Sequence, residues 1–181
     1  TLLAKFNGIV VIDEAYIDFC PDKSYLNKIF EYPNLIVMQT FSKAWALAGA
    51  RVGIAYAQKD IISLFDKTKP PYNVSKLNQE AAINALAHSN EFEERRISIL
   101  EQRSWLIENL ITLPSVRKIY PSDANFLLIE VSNADLIYNQ IITNNVIVRN
   151  RNSQIKNCLR ITIGTPEENQ ELIKAFNKIQ L

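Results

Sequence analysis

Two positive side chains, Lys43 and Arg51, stand eight residues apart in the stretch TFSKAWALAGARVG, Thr40 to Gly53, and they are the only charged residues between Tyr32 and Gln58. A lysine in apolar surroundings has its ammonium form disfavoured, which makes it a nucleophilic amine able to form a Schiff base with a carbonyl. An arginine keeps its charge, and its forked donors match a phosphate. The hydroxyls of Ser42 and Thr40 are placed to donate to the same group, and Gly49 and Gly53 flank Arg51, so the backbone can come close to a ligand. The plainer reading is a lysine that snorkels to water and an arginine that borders a surface loop.

Two further constellations could carry chemistry. IDEAY sets Asp13 and Tyr16 three residues apart at the end of an apolar run. An apolar run closing in Asp-Glu also fits the Walker B strand of an ATPase, but that needs a GxxxxGK[ST] loop, and the sequence contains none. Solvated acids at a strand end are the simpler alternative. Arg149 and Arg160 fall on two strand candidates, and pairing of those strands would turn both guanidinium groups to one cleft, where they could hold an anion. Unpaired, they are two exposed arginines on a sheet.

The elements that must position these residues follow from the hydrophobic pattern. Gly8–Tyr16 and Leu35–Ser42 are short apolar runs that end in polar residues, as buried parallel strands do. Arg51–Ala57 is a third strand candidate. Ligands of open α/β sheets gather beyond the carboxyl ends of strands, where Asp13, Tyr16, Thr40, Ser42 and Lys43 fall. Lys69–Lys76 contains two successive prolines and reads as a loop. From Leu77 to Leu113 the sequence holds no Gly or Pro, and Phe92, Ile99, Leu106 and Leu110 share a helical face, which predicts one long helix. Beyond Pro114, Ala124–Val131, Asn145–Asn150 and Cys158–Gly164 predict strands, with a helix near Ala134–Thr143. Thr165, Pro166 and Glu168 form the signature of a capping box opening a last helix.

Composition bounds the class. Of 181 residues, 48% are apolar and 22% charged, which predicts a packed core rather than disorder. The net charge of +1 argues against a nucleic-acid partner, and no apolar run approaches the roughly 20 residues of a membrane span. Cys20 and Cys158 lie far apart without metal-ligand spacing, and there is one histidine, His88, so no metal site is expected and the thiols suit a cytoplasmic protein. The first residue is Thr1, which suggests a fragment or a trimmed chain.

Taken in order, VVIDEAYIDF, TFSKAWALAGARVG, KPPYNVS, DANFLLIEV and the pair VIVRNRN with NCLRITIGTPEEN resemble the C-terminal portion of the fold-type I, pyridoxal-phosphate-dependent aminotransferases, most closely the histidinol-phosphate aminotransferases. The resemblance implies an α/β fold in three parts. Residues 1–76 would be part of the cofactor-binding large domain and its sheet, 77–113 a long connecting helix, and 114–181 a small α+β C-terminal domain. It further implies that Lys43 joins the cofactor aldehyde and moves the substrate's alpha proton, that Asp13 pairs with the pyridine nitrogen, and that Tyr16 bonds the ring's phenolic oxygen. Ser42, Arg51 and Thr40 would hold the cofactor phosphate. Arg160 would take the acidic end of the substrate, with Arg149 assisting. Asn125 lies in the ANF element, and its residue type alone assigns it no role.

The activity so implied is transamination of histidinol phosphate with 2-oxoglutarate in histidine biosynthesis, by a cytoplasmic homodimer. The family's N-terminal half has no counterpart in this sequence. The expectation is therefore that this polypeptide alone binds pyridoxal phosphate weakly or not at all and lacks turnover, and that Gly8–Tyr16 has an unpaired edge. Related fold-type I enzymes, such as an aromatic aminotransferase or a threonine-phosphate decarboxylase, would use the same lysine, aspartate and arginines. A non-catalytic interaction domain that kept the sheet is the alternative of another class.

Overall fold

The computed structural model describes residues 2–180, which divide into two compact units between Glu93 and Glu94. Each is organised around its own sheet.

The first unit opens with a short helix α1 (Leu2–Lys5), followed by strand β1 (Val10–Asp13), strand β2 (Leu35–Thr40) and strand β3 (Gly53–Ala57). The sheet order is β1-β2-β3, with β1 parallel and β3 antiparallel to β2. A parallel pair needs a crossover of a dozen or more residues. Here it is built of three short 3-10 turns, Ile17–Phe19, Pro21–Lys23 and Leu26–Lys28, rather than a helix. The amide of Asn34 donates to the carbonyls of Phe6 and Gly8, each at 3.0 Å, and so fixes the approach to β1.

Alternation sorts this sheet into two faces. Val10, Ile12, Leu35 and Val37 point into a core with Leu3, Ile29 and Tyr56. Val11 and Met38 point the other way and stay exposed, at 50% and 39%. The expectation of a strand buried on both sides therefore holds for Leu35–Val37 of β2, all buried, and fails for β1. β1 pairs with β2 alone among the described residues, and helices α2 (Lys59–Thr68) and α3 (Lys76–Ala87) follow β3. α2 lies where the sequence reading assigned nothing. α3 is capped by Ser75, whose hydroxyl accepts from the Asn78 amide.

The long helix expected over Leu77–Leu113 is two helices. α3 ends at His88, whose Nδ1 sits 2.8 Å from the Asn84 carbonyl and whose backbone N–H donates to Asn84 and Ala85. His88 leaves the helical region (φ −108°, ψ 41°) and so ends α3 without Gly or Pro, while its ring contacts a last-turn carbonyl. α4 (Ser89–Leu110) then begins, and the division between the units falls within it. Phe92 stacks on Trp45 in the first unit, ring centroids 3.9 Å apart, whereas Leu106 and Leu110 are fully buried in the core of the second.

The second unit is a four-stranded sheet of order β4-β5-β7-β6, antiparallel throughout, made of β4 (Val116–Ile119), β5 (Phe126–Val131), β6 (Arg149–Asn150) and β7 (Cys158–Thr162). Helices α5 (Ala134–Thr143) and α6 (Pro166–Asn177) complete it. The core comprises Leu127, Ile129 and Val131 of β5, Leu159 and Ile161 of β7, Ile137 and Ile141 of α5, and Leu172 and Phe176 of α6. The capping box is present in full, with Thr165 Oγ1 accepting from Glu168 N and Glu168 Oε2 accepting from Thr165 N. The strand expected over Asn145–Asn150 shrinks to Arg149–Asn150, because Asn145 takes a left-handed conformation (φ 60°) that leaves the extended region. β4 was not assigned from the sequence.

Candidate active site

The site is assembled at the carboxyl ends of β1 and β2. Asp13 ends β1, and its Oδ1 accepts from the Ala15 amide at 3.0 Å, which turns the chain at the strand end. Thr40 ends β2 directly opposite Gly53 of β3. Its hydroxyl lies 3.0 Å from Ser42 Oγ and 3.3 Å from the Val52 carbonyl, while the Ser42 amide donates back to Thr40 Oγ1 at 3.0 Å. This tight turn brings Ser42 and Lys43 back over the strand end.

Asp13, Thr40, Ser42, Lys43 and Arg51 all border one open cleft of about 470 Å³, floored by Met38, Ile54 and Ala55. The half-buried Lys43 holds its Nζ 5.1 Å from the centroid of the Tyr16 ring. Arg51 is exposed, and its Nη1 donates to the Ala48 carbonyl at 3.0 Å. Among the described residues neither cation makes an ion pair. Two positive groups in one cleft without a salt bridge suit an anionic ligand.

The left-handed backbone positions here are not the glycines. Neither Gly49 nor Gly53 has a positive φ; Ala46 (φ 57°) and Arg51 (φ 53°, ψ 41°) do. A side-chain-bearing residue in this region costs of order 1–2 kcal/mol, so the turn between β2 and β3 holds Arg51 in place against a local preference. Gly53 does line the cleft, where an added Cβ would stand 3.3 Å from the Gln39 carbonyl.

Glu14 is the polar residue that sequence reasoning missed. It is buried rather than solvated, and it accepts from Ser24 Oγ at 2.9 Å, Tyr25 N at 2.6 Å and Gln39 Nε2 at 3.0 Å. It thereby ties the crossover to β2 directly behind Asp13. Strand alternation was the available signal: Asp13 and Glu14 must point to opposite faces.

Arg149 and Arg160 lie in the second unit. They are direct cross-strand partners on β6 and β7, so both side chains rise from one sheet face. The Arg160 guanidinium carbon sits 4.5 Å from the Phe126 ring centroid. Asn125 contributes its carbonyl to the Ile163 amide at 2.9 Å. A larger cleft of about 640 Å³ in the same unit is lined by Ile161, Ile163 and Leu172 with several glutamates. Two of them have structural partners: Glu168 serves the capping box, and Lys174 bonds Glu171 at 2.7 Å, holding its carboxyl below the usual range. Among the described residues no group of three or more His, Cys, Asp or Glu could bind a metal, and no helix is long and apolar enough to cross a membrane.

A lysine, an aspartate and an arginine gathered at strand ends are what comparison with known proteins should explain. Residues 1–176 match the family model of class I and II aminotransferases. The chain belongs to that family. It is 52% identical over 182 aligned residues to a histidinol-phosphate aminotransferase of Flavobacterium psychrophilum, an alignment that takes in 99% of this chain and 52% of that protein. The chain thus spans about half the length of the curated relatives it matches.

Solved structures agree with the α/β fold expected from sequence. A histidinol-phosphate aminotransferase from Clostridium acetobutylicum superposes with a TM-score of 0.85 at 26% identity, covering 93% of this chain and 53% of that one. The Sinorhizobium meliloti histidinol-phosphate aminotransferase, determined in complex with pyridoxal-5'-phosphate, gives a TM-score of 0.79 at 25% identity, covering 94% and 48%.

Proposed function

We propose that this chain carries the lysine-bearing side of the cofactor site, together with the substrate-anion arginines, of an aminotransferase that acts on histidinol phosphate with 2-oxoglutarate. One observation carries the reading: Lys43, Asp13, Ser42, Thr40 and Arg51 border a single cleft, with the Tyr16 ring beside the lysine amine. The donor set fits pyridoxal phosphate, since it offers an amine for an aldehyde, a carboxylate for a ring nitrogen, and two hydroxyls with a guanidinium for a phosphate. When bound, that cofactor supplies an electron-accepting ring for the carbanion left by the alpha proton.

The chain's own residues then have distinct tasks. Lys43 would offer its amine for covalent attachment and, once the substrate's own amine displaces it and sets it free, would take and return the proton at the substrate's alpha carbon. Asp13, whose Oδ1 accepts from Ala15, would keep a proton on the pyridine nitrogen with its remaining acceptor capacity. Ser42, Thr40 and Arg51 would hold the phosphate, and the Tyr16 hydroxyl would donate to the phenolic oxygen. Arg160 and Arg149 bind the acidic group of the substrate. The near-complete alignment with histidinol-phosphate aminotransferases favours that substrate over those of a decarboxylase or an aromatic aminotransferase.

The cleft is open, and β1 has one paired edge among the described residues. We therefore assign turnover to a longer polypeptide, acting as a cytoplasmic homodimer, and expect weak or no cofactor retention by these 181 residues alone. Borohydride reduction in the presence of pyridoxal phosphate, followed by peptide mapping, tests the assignment. In a polypeptide extended to its relatives' length the pyridoxyl group should map to Lys43 and vanish in Lys43→Ala. Labelling of a different lysine, or strong labelling with measurable transamination by the 181-residue chain, would refute it.

A further inference from the structure

The function proposed above uses Arg160 but leaves unexplained the apolar face on which it rests. Successive residues of a strand point to opposite faces, so Phe126, Leu128 and Glu130 of β5 share a face, as do Cys158, Arg160 and Thr162 of β7. The register joins these sets, pairing Phe126 with Thr162, Leu128 with Arg160 and Glu130 with Cys158. Arg149 enters the same face opposite Arg160. Like charges directly across a ladder destabilise a sheet. The acid on this face, Glu130, lies one cross-strand pair further along, with the Tyr120 hydroxyl 3.4 Å from its Oε2.

Among the described residues Arg160 bonds to no carboxylate; it lies over a ring. Its guanidinium carbon is 4.5 Å from the centroid of Phe126, its diagonal neighbour across the ladder. Its Nε is buried and has no hydrogen-bond partner, and it is the only Arg160 nitrogen in that condition among the described residues. A buried, unpaired N–H is costly, and here it means that one edge of the guanidinium is sealed from any ligand. Arg160 as a whole is only half-buried, so this seal applies to the Nε edge and not to the whole guanidinium.

We propose that Phe126 is a positioning residue for anion recognition. Its ring fixes the plane of the Arg160 guanidinium so that the two Nη groups, rather than the Nε edge, meet the acidic group of the substrate, with Arg149 facing the same anion. This rests on the assignment of Arg160 and Arg149 to substrate binding. The gain is preorganisation, since a long side chain whose rotamers are already restricted loses less entropy when the anion arrives.

Titration of the isotopically labelled 181-residue chain with inorganic phosphate, followed through the Arg side-chain N–H resonances, tests the proposal. In the wild type the Arg160 Nε–H resonance, identified by its loss in Arg160→Gln, should be displaced by the ring current of Phe126. It should also stay in place as phosphate saturates, while the Nη signals move. Phe126→Leu should abolish that displacement and weaken phosphate binding by about tenfold, whereas Phe126→Tyr, which keeps the ring, should bind within about twofold of wild type. Wild-type affinity in Phe126→Leu overturns the proposal, as does a large downfield shift of the wild-type Nε–H on adding phosphate, which needs no variant to fold. An undiminished phosphate response of the Arg149 side-chain resonances in Arg160→Gln instead overturns the underlying assignment of Arg160.

Discussion

Replacing Glu14 by alanine tests how the site edge is held. The carboxylate accepts three hydrogen bonds from Ser24, Tyr25 and Gln39 while buried. The Tyr25 donor is a backbone N–H and cannot turn away, so stranding it costs about 1–3 kcal/mol. The Ser24 and Gln39 side chains are partly exposed and can reach water, which limits their loss to about 0.5–1.5 kcal/mol each. Together the substitution should destabilise the first unit by about 2–6 kcal/mol. Glu14→Gln keeps a carbonyl for Tyr25 and lets Gln39 flip its amide, so it should cost about 1 kcal/mol.

The two tryptophans make this measurable, because Trp45 belongs to the first unit and Trp105 packs against the core of the second. Urea unfolding followed by fluorescence in a Trp105→Phe background reports the first unit, and the reciprocal Trp45→Phe background reports the other. Glu14→Ala should shift the first transition and leave the second in place. Equal stability of Glu14→Ala and wild type in the Trp45 signal would show that Glu14 is not the clamp between the crossover and β2.

Two further outcomes follow from local chemistry. Ala46 is exposed and left-handed, so Ala46→Gly should stabilise the first unit by about 0.5–1 kcal/mol in the same urea assay, with a loss of stability contradicting the strain assigned to that turn. Cys158 is buried, and burial, followed by the nearby Glu130, pushes its thiol above its ordinary value. The unfolded chain then gives up this proton first, so the contribution is intact below the ordinary thiol range near 8.5 and is lost as pH rises through the folded value. Native Cys158 should resist alkylation near pH 8 and the second unit should weaken above pH ~9, a dependence that Cys158→Ala should reduce.

Much of this was legible in the chain itself, because the signals were local. The helix Ala134–Thr143, the capping box at Thr165 and the strands around Val10, Val37 and Ile161 are written in short-range periodicity and in side chains that bond their own backbone. The residues that border the cleft were also recognisable, since a lysine and an arginine in an apolar run have few uses. Other features depend on contacts far apart in sequence. That Glu14 is buried while Asp13 faces the cleft was settled when the crossover folded back onto β2. A helix that composition would continue ends at His88, whose backbone leaves the helical region. The stacking of Arg160 on Phe126 was fixed by the register of β5 against β7, residues more than thirty positions apart. Residue type determined which groups could react, and strand pairing decided which of them share a face, because alternation and register are properties of the assembled sheet.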